Sequence, residues 1–306
     1  MDNKKTVIPT RLIPGDTIGV VAPAGSFGMK AFYLGVSILK SMGFRISVSG
    51  DIFKKKGYLA GSDTHRAGVV NRLFADRTVK AVFCARGGFG SIRILPLLDF
   101  ECIRENPKIF VGFSDISAIL SVLYAKCGLA TFHGPLVTSL ADTDQETKTS
   151  MLSALSSGKQ LKIRPAKGIT IRAGNASGPV SGGNLNTLCH LIGTPFEPVY
   201  NGHILLLEDR GEPAYKIDRM LTQMKLAGCF DGLAGLALGS FKDCSISEDI
   251  FRIADNIFKK NPVPILAGFD AGHGARNITI PMGLKATLDA DNHLLSYHKP
   301  ATVPIS

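Results

Sequence analysis

Between residues 17 and 126, short β-branched runs alternate with apolar helical patterns, and this alternation constrains the fold more than any other feature of the chain. The runs at 17–21, 45–49, 79–84 and 109–113 predict strands, and the stretches at 29–42, 63–75, 90–98 and 115–126 predict helices between them. Such a succession builds a mainly parallel sheet, because a parallel partner is reached only through a crossover long enough to hold a helix. Ser62, Asp63 or Thr64 is placed to cap the second helix.

A polar stretch at 141–149 leads to a helix expected near 150–156, after which the chain turns short-stranded and rich in glycine, lysine and turn formers. That change marks a domain switch: residues 1–150 form one domain, 151–175 a linker and 176–306 a second domain. In the second, GGNLNTLCHLIGTP predicts a short helix and HILLLED a strand. Residues 215–226 predict an amphipathic helix with Ile217, Met220, Leu221 and Met224 on one face. A strand at 235–241, a helix at 248–259 and closing short strands follow. With 306 residues, 45% of them apolar, the chain can bury a core of this size.

Several function classes recede on composition. The net charge of +10 comes from scattered lysines and arginines with only Lys54, Lys55 and Lys56 in a run, so a nucleic-acid partner is not expected. The summed field still favours encounter with a substrate bearing carboxylates. Cys84, Cys102, Cys127, Cys189, Cys229 and Cys244 are far apart without C-x-x-C or zinc spacing, and read as reduced core residues. MDNKKTVIPTRLIPGD is too polar for a signal segment and no apolar run is long enough to span a bilayer, so neither export nor a membrane partner is expected.

The sharpest local feature is KIFVGFSDISAILSVLYAK, where an apolar strand passes through Gly112-Phe113-Ser114-Asp115 directly into an apolar helix. A serine at such a turn resembles a nucleophile elbow, with the first helical amides facing a developing oxyanion. The second glycine of G-x-S-x-G is absent, and Ser114 also reads as an N-cap. The loop Cys84-Ala85-Arg86-Gly87-Gly88-Phe89-Gly90 follows the strand VKAVF, and its glycines let backbone N–H groups approach a ligand. Arg93 stands where a dinucleotide fingerprint needs its third glycine, which leaves a plain turn open beside either binding role.

Glu208 closes an apolar strand, and functional groups in open α/β sheets gather at the carboxyl ends of strands. Glu212 competes with it, and a surface salt bridge, with Arg219 as one partner, is the alternative for either. His273, flanked by Gly272 and Gly274, is the most constrained of the seven histidines, whereas His293 and His298 read as surface residues of a terminal hairpin. It suits a general base, or a turn histidine bonded to backbone. Serine, acid and histidine in that order compose a triad in which histidine takes the hydroxyl proton and the carboxylate fixes its tautomer. Neither H-E-x-x-H nor a cluster of aspartates and histidines offers a metal site, and no cofactor is expected.

Taken together, four motifs resemble those of the LD-carboxypeptidases (muramoyltetrapeptide carboxypeptidases, peptidase family S66): Ala85-Arg86-Gly87-Gly88-Phe89-Gly90, Gly112-Phe113-Ser114-Asp115, Leu207-Glu208-Asp209 with Glu212 and Asp218-Arg219 behind it, and Gly268-Phe269-Asp270-Ala271-Gly272-His273. GDTIGVVAPAG, GYLAGSDTHRAGVVNRLFAD, TFHGP and Gly182-Gly183-Asn184-Leu185 with IGTPFEP extend the likeness over nearly the whole chain. The resemblance implies Ser114 as nucleophile, Glu208 as triad acid and His273 as base. It also implies an oxyanion hole from the amides of Asp115 and of Gly87 or Gly88. It implies an N-terminal Rossmann-like parallel-sheet domain and a C-terminal β-rich α/β domain, with the active site at their interface. The implied substrate is a murein tetrapeptide that loses its terminal D-alanine, and the implied setting is a cytoplasmic homodimer. Ser117 stands where the family usually has threonine, which keeps a hydroxyl. The microcin-immunity branch cleaves a peptide-nucleotide antibiotic and uses an aromatic platform for a nucleobase; the absence of tryptophan places this chain nearer the cell-wall branch. A non-hydrolytic nucleotide-binding module built on the loop Gly87 to Gly90 is the rival from outside the family.

Overall fold

The computed structural model describes residues 6–304; residues 1–5 and 305–306, at the ends of the two expected domains, lie outside the described residues. The first half runs β1 (Thr17–Val21), α1 (Met29–Ser41), β2 (Arg45–Val48), α2 (Asp63–Ala75), β3 (Val79–Cys84), α3 (Ser91–Ile94), α4 (Phe100–Glu105), β4 (Ile109–Gly112), α5 (Ser117–Cys127) and β5 (Thr131–His133). Then come α6 (Gln145–Ser156), β6 (Gln160–Ile163), β7 (Ile169–Arg172), β8 (Asn175–Asn184), α7 (Leu185–Cys189), β9 (Ile204–Arg210), α8 (Ala214–Leu226) and β10 (Gly235–Lys242). The chain ends with α9 (Ser247–Ile257), β11 (Ile265–Ala267), β12 (Ile280–Met282), β13 (Lys285–Asp289) and β14 (Leu294–Pro300).

These strands form two sheets. The six-stranded one has the order β12-β5-β4-β3-β1-β2, parallel from β5 to β2, with β12 antiparallel on β5. The eight-stranded one has the order β6-β14-β13-β8-β9-β10-β11-β7, with a parallel centre from β8 to β11 and antiparallel flanks. The expected α/β fold class is therefore present, a parallel sheet beside a mixed sheet. Central parallel strands are covered on both faces and need near-continuous apolar sequence. Hence every residue of β4 is buried, as is every residue of β9 except Arg210.

Helix α1 buries Phe32, Gly35, Val36 and Leu39, one face at the spacing of a 3.6-residue turn. Ser62 caps α2 by accepting a hydrogen bond from the His65 amide at 3.2 Å. The helix expected at 90–98 is shorter: Pro96, which has no N–H to donate, lies in a tight turn at Leu95–Leu97, and Asp99 then caps α4 by accepting from the Cys102 amide. Helix α6 starts earlier than expected, at Gln145, because Asp144 accepts from both the amide and the hydroxyl of Thr147. Within 151–175, β6 pairs with β14 and β7 with β11, so this stretch edges the second sheet.

One apolar core cluster contains Leu120 and Leu123 of α5 together with Leu188 of α7 and Leu221 of α8, so the core runs between the two sheets. Cys84, Cys127, Cys189 and Cys229 are buried, and Cys102 and Cys244 are half-buried. His293, expected at the surface, is half-buried, with Nε2 2.9 Å from the Thr170 hydroxyl. Among the described residues, no helix is long and apolar enough to cross a membrane.

Candidate active site

Ser114 follows β4 at the carboxyl edge of the parallel sheet and opens a tight turn, Ser114–Ile116, that feeds α5. Its backbone lies in the left-handed region, with φ 65°. A non-glycine residue rarely stays there unless its surroundings hold it, and such strain collects at functional sites. The N-cap position of this turn falls on Phe113, so Ser114 is its first residue rather than its cap. Ser114 Oγ lies 3.0 Å from His273 Nε2.

His273 sits in the glycine-flanked loop between β11 and β12, its ring centre 4.9 Å from that of Phe113 in an edge-to-face arrangement. Its Nδ1 is 2.7 Å from Glu208 Oε2. Glu208, near the end of β9, is wholly buried. Burial alone would raise its carboxyl pKa, but the imidazoles of His133 and His273 beside it outweigh burial and hold the group well below the ordinary carboxylate range. Gly272 makes room for this contact: its φ is 107°, and a Cβ there would overlap the Glu208 carboxylate. The salt-bridge alternative holds for Glu212, with Lys216 rather than Arg219 as partner, and not for Glu208. Glu208 faces two histidines, Glu212 pairs with Asn186 and Lys216, and Arg219 lies over the Tyr215 ring.

The glycine loop reaches the same point from β3. A Cβ on Gly87 would come within 2.9 Å of Ser114 Cβ and 3.1 Å of Oγ, so the close approach requires glycine. Among the described residues, no protein acceptor takes the amide of Gly87 or Gly88. Asp115 fastens the loop to the Ser114 turn: its carboxylate accepts from the Ser91 amide at 2.8 Å, and its carbonyl accepts from the Ser91 hydroxyl at 2.6 Å. Burial pushes the Asp115 carboxyl up. The two sheets are joined beside the site by Ser117, whose Oγ accepts from the Asn184 amide at 2.9 Å.

An open cleft of about 690 Å³ lies above these groups; its lining includes Gly87, Gly88, Ser114, Asp115 and His273. Asp209 also faces it, accepting from Asn184 Nδ2 and from the amides of Asn186 and Arg210. Burial, reinforced by the charge of Glu208, pushes the Asp209 carboxyl up to about 6 against those bonds. Arg86, Arg93, Arg210, Glu212 and His190 complete a polar wall. The exposed rings of Tyr58 and Phe89, 6.5 Å apart and edge to face, lie at the same cleft.

The structure thus gathers Ser114, Glu208, His273, Gly87, Gly88 and Asp115 into one place, although they span 159 residues of sequence between Ser114 and His273 alone. Sequence reasoning did not single out His133, Asn184 or Asp209 as site residues. A usable signal existed for each: His133 ends β5, Asn184 ends β8 and Asp209 follows Glu208 in β9, and carboxyl ends of parallel strands are where sites form. Among the described residues, no group of three or more His, Cys, Asp or Glu side chains is arranged to hold a metal ion.

Such a hydroxyl–imidazole–carboxylate chain, at the edge of an α/β sheet beside an open cleft, defines a serine hydrolase. The chain belongs to the LD-carboxypeptidase family: residues 18–134 match its N-terminal domain and residues 177–288 its C-terminal domain. It is 35% identical to a probable murein peptide carboxypeptidase of Bacillus subtilis, over 92% of this chain and 91% of that protein. It is 32% identical to the Microcin C7 self-immunity protein MccF of Escherichia coli, over 93% of this chain and 94% of that one. The crystal structure of an MccF-like protein from Bacillus anthracis superposes with a TM-score of 0.89 at 28% identity, covering 95% of this chain and 98% of the other.

Proposed function

We propose that this enzyme is a serine carboxypeptidase that hydrolyses the amide between an L-configured centre and a terminal D-alanine in murein tetrapeptides. Ser114 Oγ attacks the carbonyl carbon while His273 Nε2 takes its proton, and Glu208 holds the imidazole by Nδ1 and stabilises the imidazolium. The amides of Asp115 and of Gly87 or Gly88 receive the oxyanion. Collapse breaks the C–N bond, D-alanine leaves with the proton from His273, and water, deprotonated by the same histidine, frees the acyl group from Ser114.

The observation that carries this reading is the pair of contacts of 3.0 and 2.7 Å that links Ser114 through His273 to a wholly buried carboxylate. The similarity to a murein peptide carboxypeptidase at 35% identity supports the substrate class. We further assign residues 1–150 to the nucleophile-bearing domain, 151–175 to the connection and 176–306 to the domain bearing acid and base. A cytoplasmic homodimer is the proposed working form, which light scattering and cell fractionation test. Incubation with a defined tetrapeptide, followed by mass spectrometry, should show loss of one D-alanine, with activity unchanged by EDTA.

A specific observation favours a second reading. Tyr58 and Phe89 give the cleft exposed aromatic rings despite the absence of tryptophan, and MccF is 32% identical. Cleavage of a peptide-nucleotide in preference to the tetrapeptide, in a side-by-side assay, would make this the function.

A further inference from the structure

His133 ends β5 with no exposed side-chain surface, and neither of its ring nitrogens meets a hydrogen-bond partner among the described residues. Glu208 Oε1 is in the same condition, while Oε2 engages His273. The two unmatched groups face each other, with His133 Nε2 3.9 Å from Oε1. A buried polar atom left unmatched costs its full desolvation, and an ionised carboxylate loses most. The other ionisable neighbours do not meet this oxygen: His273 bonds Oε2, and Asp209 turns to Asn184 and Asn186. Gly239 and Gly272, also packed on Glu208, bring only backbone.

We infer that His133 is a positioning residue, whose Nε2–H donates to Glu208 Oε1 in the working enzyme and turns the carboxylate so that Oε2 meets His273 Nδ1. The inference rests on the triad proposed above and extends it by one member, from Ser114 through His273 and Glu208 to His133. Closing 3.9 Å to a hydrogen bond takes roughly 1 Å of movement, and catalytic bonds that are long without substrate commonly tighten when it binds. The histidine works neutral, because an imidazolium would bury a second N–H at Nδ1 with no acceptor. The Phe113 ring lies 5.8 Å from the His133 ring and 4.9 Å from the His273 ring, beside both imidazoles.

His133→Phe keeps bulk and removes the donor. With tetrapeptide substrate, kcat/KM should fall about 10- to 100-fold, the loss expected for a charge-assisted bond that orients another group. Without the donor the carboxylate is the stronger base, so the imidazole–carboxylate pair takes up its inactivating proton at higher pH and the acid limb of kcat/KM should move up by about one pH unit. His133→Gln, which keeps an N–H, should restore most of the rate and return the limb. A loss equal at every pH, with the limb unmoved and glutamine no better than phenylalanine, would mark His133 as packing alone and overturn the inference. So would wild-type behaviour in the phenylalanine variant. If that variant does not fold, nitrogen NMR of the wild-type protein labelled at histidine decides. A neutral Nε2–H tautomer with a downfield proton is expected, and an Nδ1–H tautomer or an imidazolium refutes the assignment. The NMR readout needs no turnover, so a wild-type enzyme inactive on the tetrapeptide would sink the proposed substrate without touching this inference.

Discussion

On the parallel-sheet side of the cleft, the proposed nucleophile is held by local backbone: β4 delivers Ser114 into a left-handed turn, and Gly87 lies against its side chain. On the mixed-sheet side, the proposed acid and base are held by tertiary contacts: Glu208 comes from β9, His273 from the loop between β11 and β12, and their meeting depends on a buried bond of 2.7 Å. The strain of one non-glycine left-handed residue, about 1–3 kcal/mol, is confined to a few residues on the first side. The second side instead carries the cost of burying charge, with Glu208 and Asp209 adjacent and shifted in opposite directions. One half presets geometry and the other presets protonation.

Removing the nucleophile should break the first side completely. Ser114→Ala is expected to lower kcat on the order of 10⁶-fold, to the background set by binding and oxyanion stabilisation, with an unchanged melting curve. D-alanine release by that variant above a trace would end the assignment. Glu208→Gln tests the second side: it leaves space and volume nearly unchanged but offers His273 the wrong partner, and kcat should fall about 10⁴-fold. The measurement is single-turnover acylation, and a loss confined to KM would contradict the role.

Gly87→Ala sharpens the geometric half of the comparison. The added methyl meets Ser114 at 2.9 Å, and overpacking of that kind costs about 1–3 kcal/mol, so kcat/KM should drop roughly 10- to 100-fold while secondary structure by circular dichroism is retained.

Asp209 sharpens the electrostatic half. Its carboxyl ionises near pH 6 when folded against an ordinary 3.8, so between those values the folded state keeps a proton that the unfolded chain has released. Its contribution to stability therefore declines as pH rises through that window, by about 3 kcal/mol at most. Glu208 works in the opposite sense, stabilising above its ordinary pKa of 4.5 and losing that contribution as the pH falls. The pH 4.5 to 7.5 change in unfolding free energy from urea titrations should differ between wild type and Asp209→Asn by no more than that amount, with the variant losing less on going to the higher pH. No difference would mean that Asp209 is ionised throughout.

The elements legible in the sequence were those with strong local patterns. Strands β1 and β3 and helix α2 have the bounds their apolar runs suggest, because parallel strands buried on both faces and a serine-capped helix advertise themselves locally. The three-residue strands β5 and β12 have no period to read, and they exist through pairing with distant segments, β5 on β4 and β12 on β5 with His133 opposite Ile280. The early start of α6 at Gln145 turned on one side chain, Asp144, in a stretch whose polarity resembled a loop.

At the site, the strand-to-helix passage made Ser114 visible, whereas residue patterns alone left Glu208 beside Glu212 and gave His133 no role. Chain order thus determined the α/β class, the position of Ser114 at a strand-to-helix turn and the supply of glycines around it, since these depend on neighbours a few residues apart. Only tertiary structure decided that Glu208 is sealed from water against two histidines while Glu212 stays with Lys216 and Asn186. Burial and charge pairing are properties of groups distant in sequence, and they exist only once the two sheets have packed together.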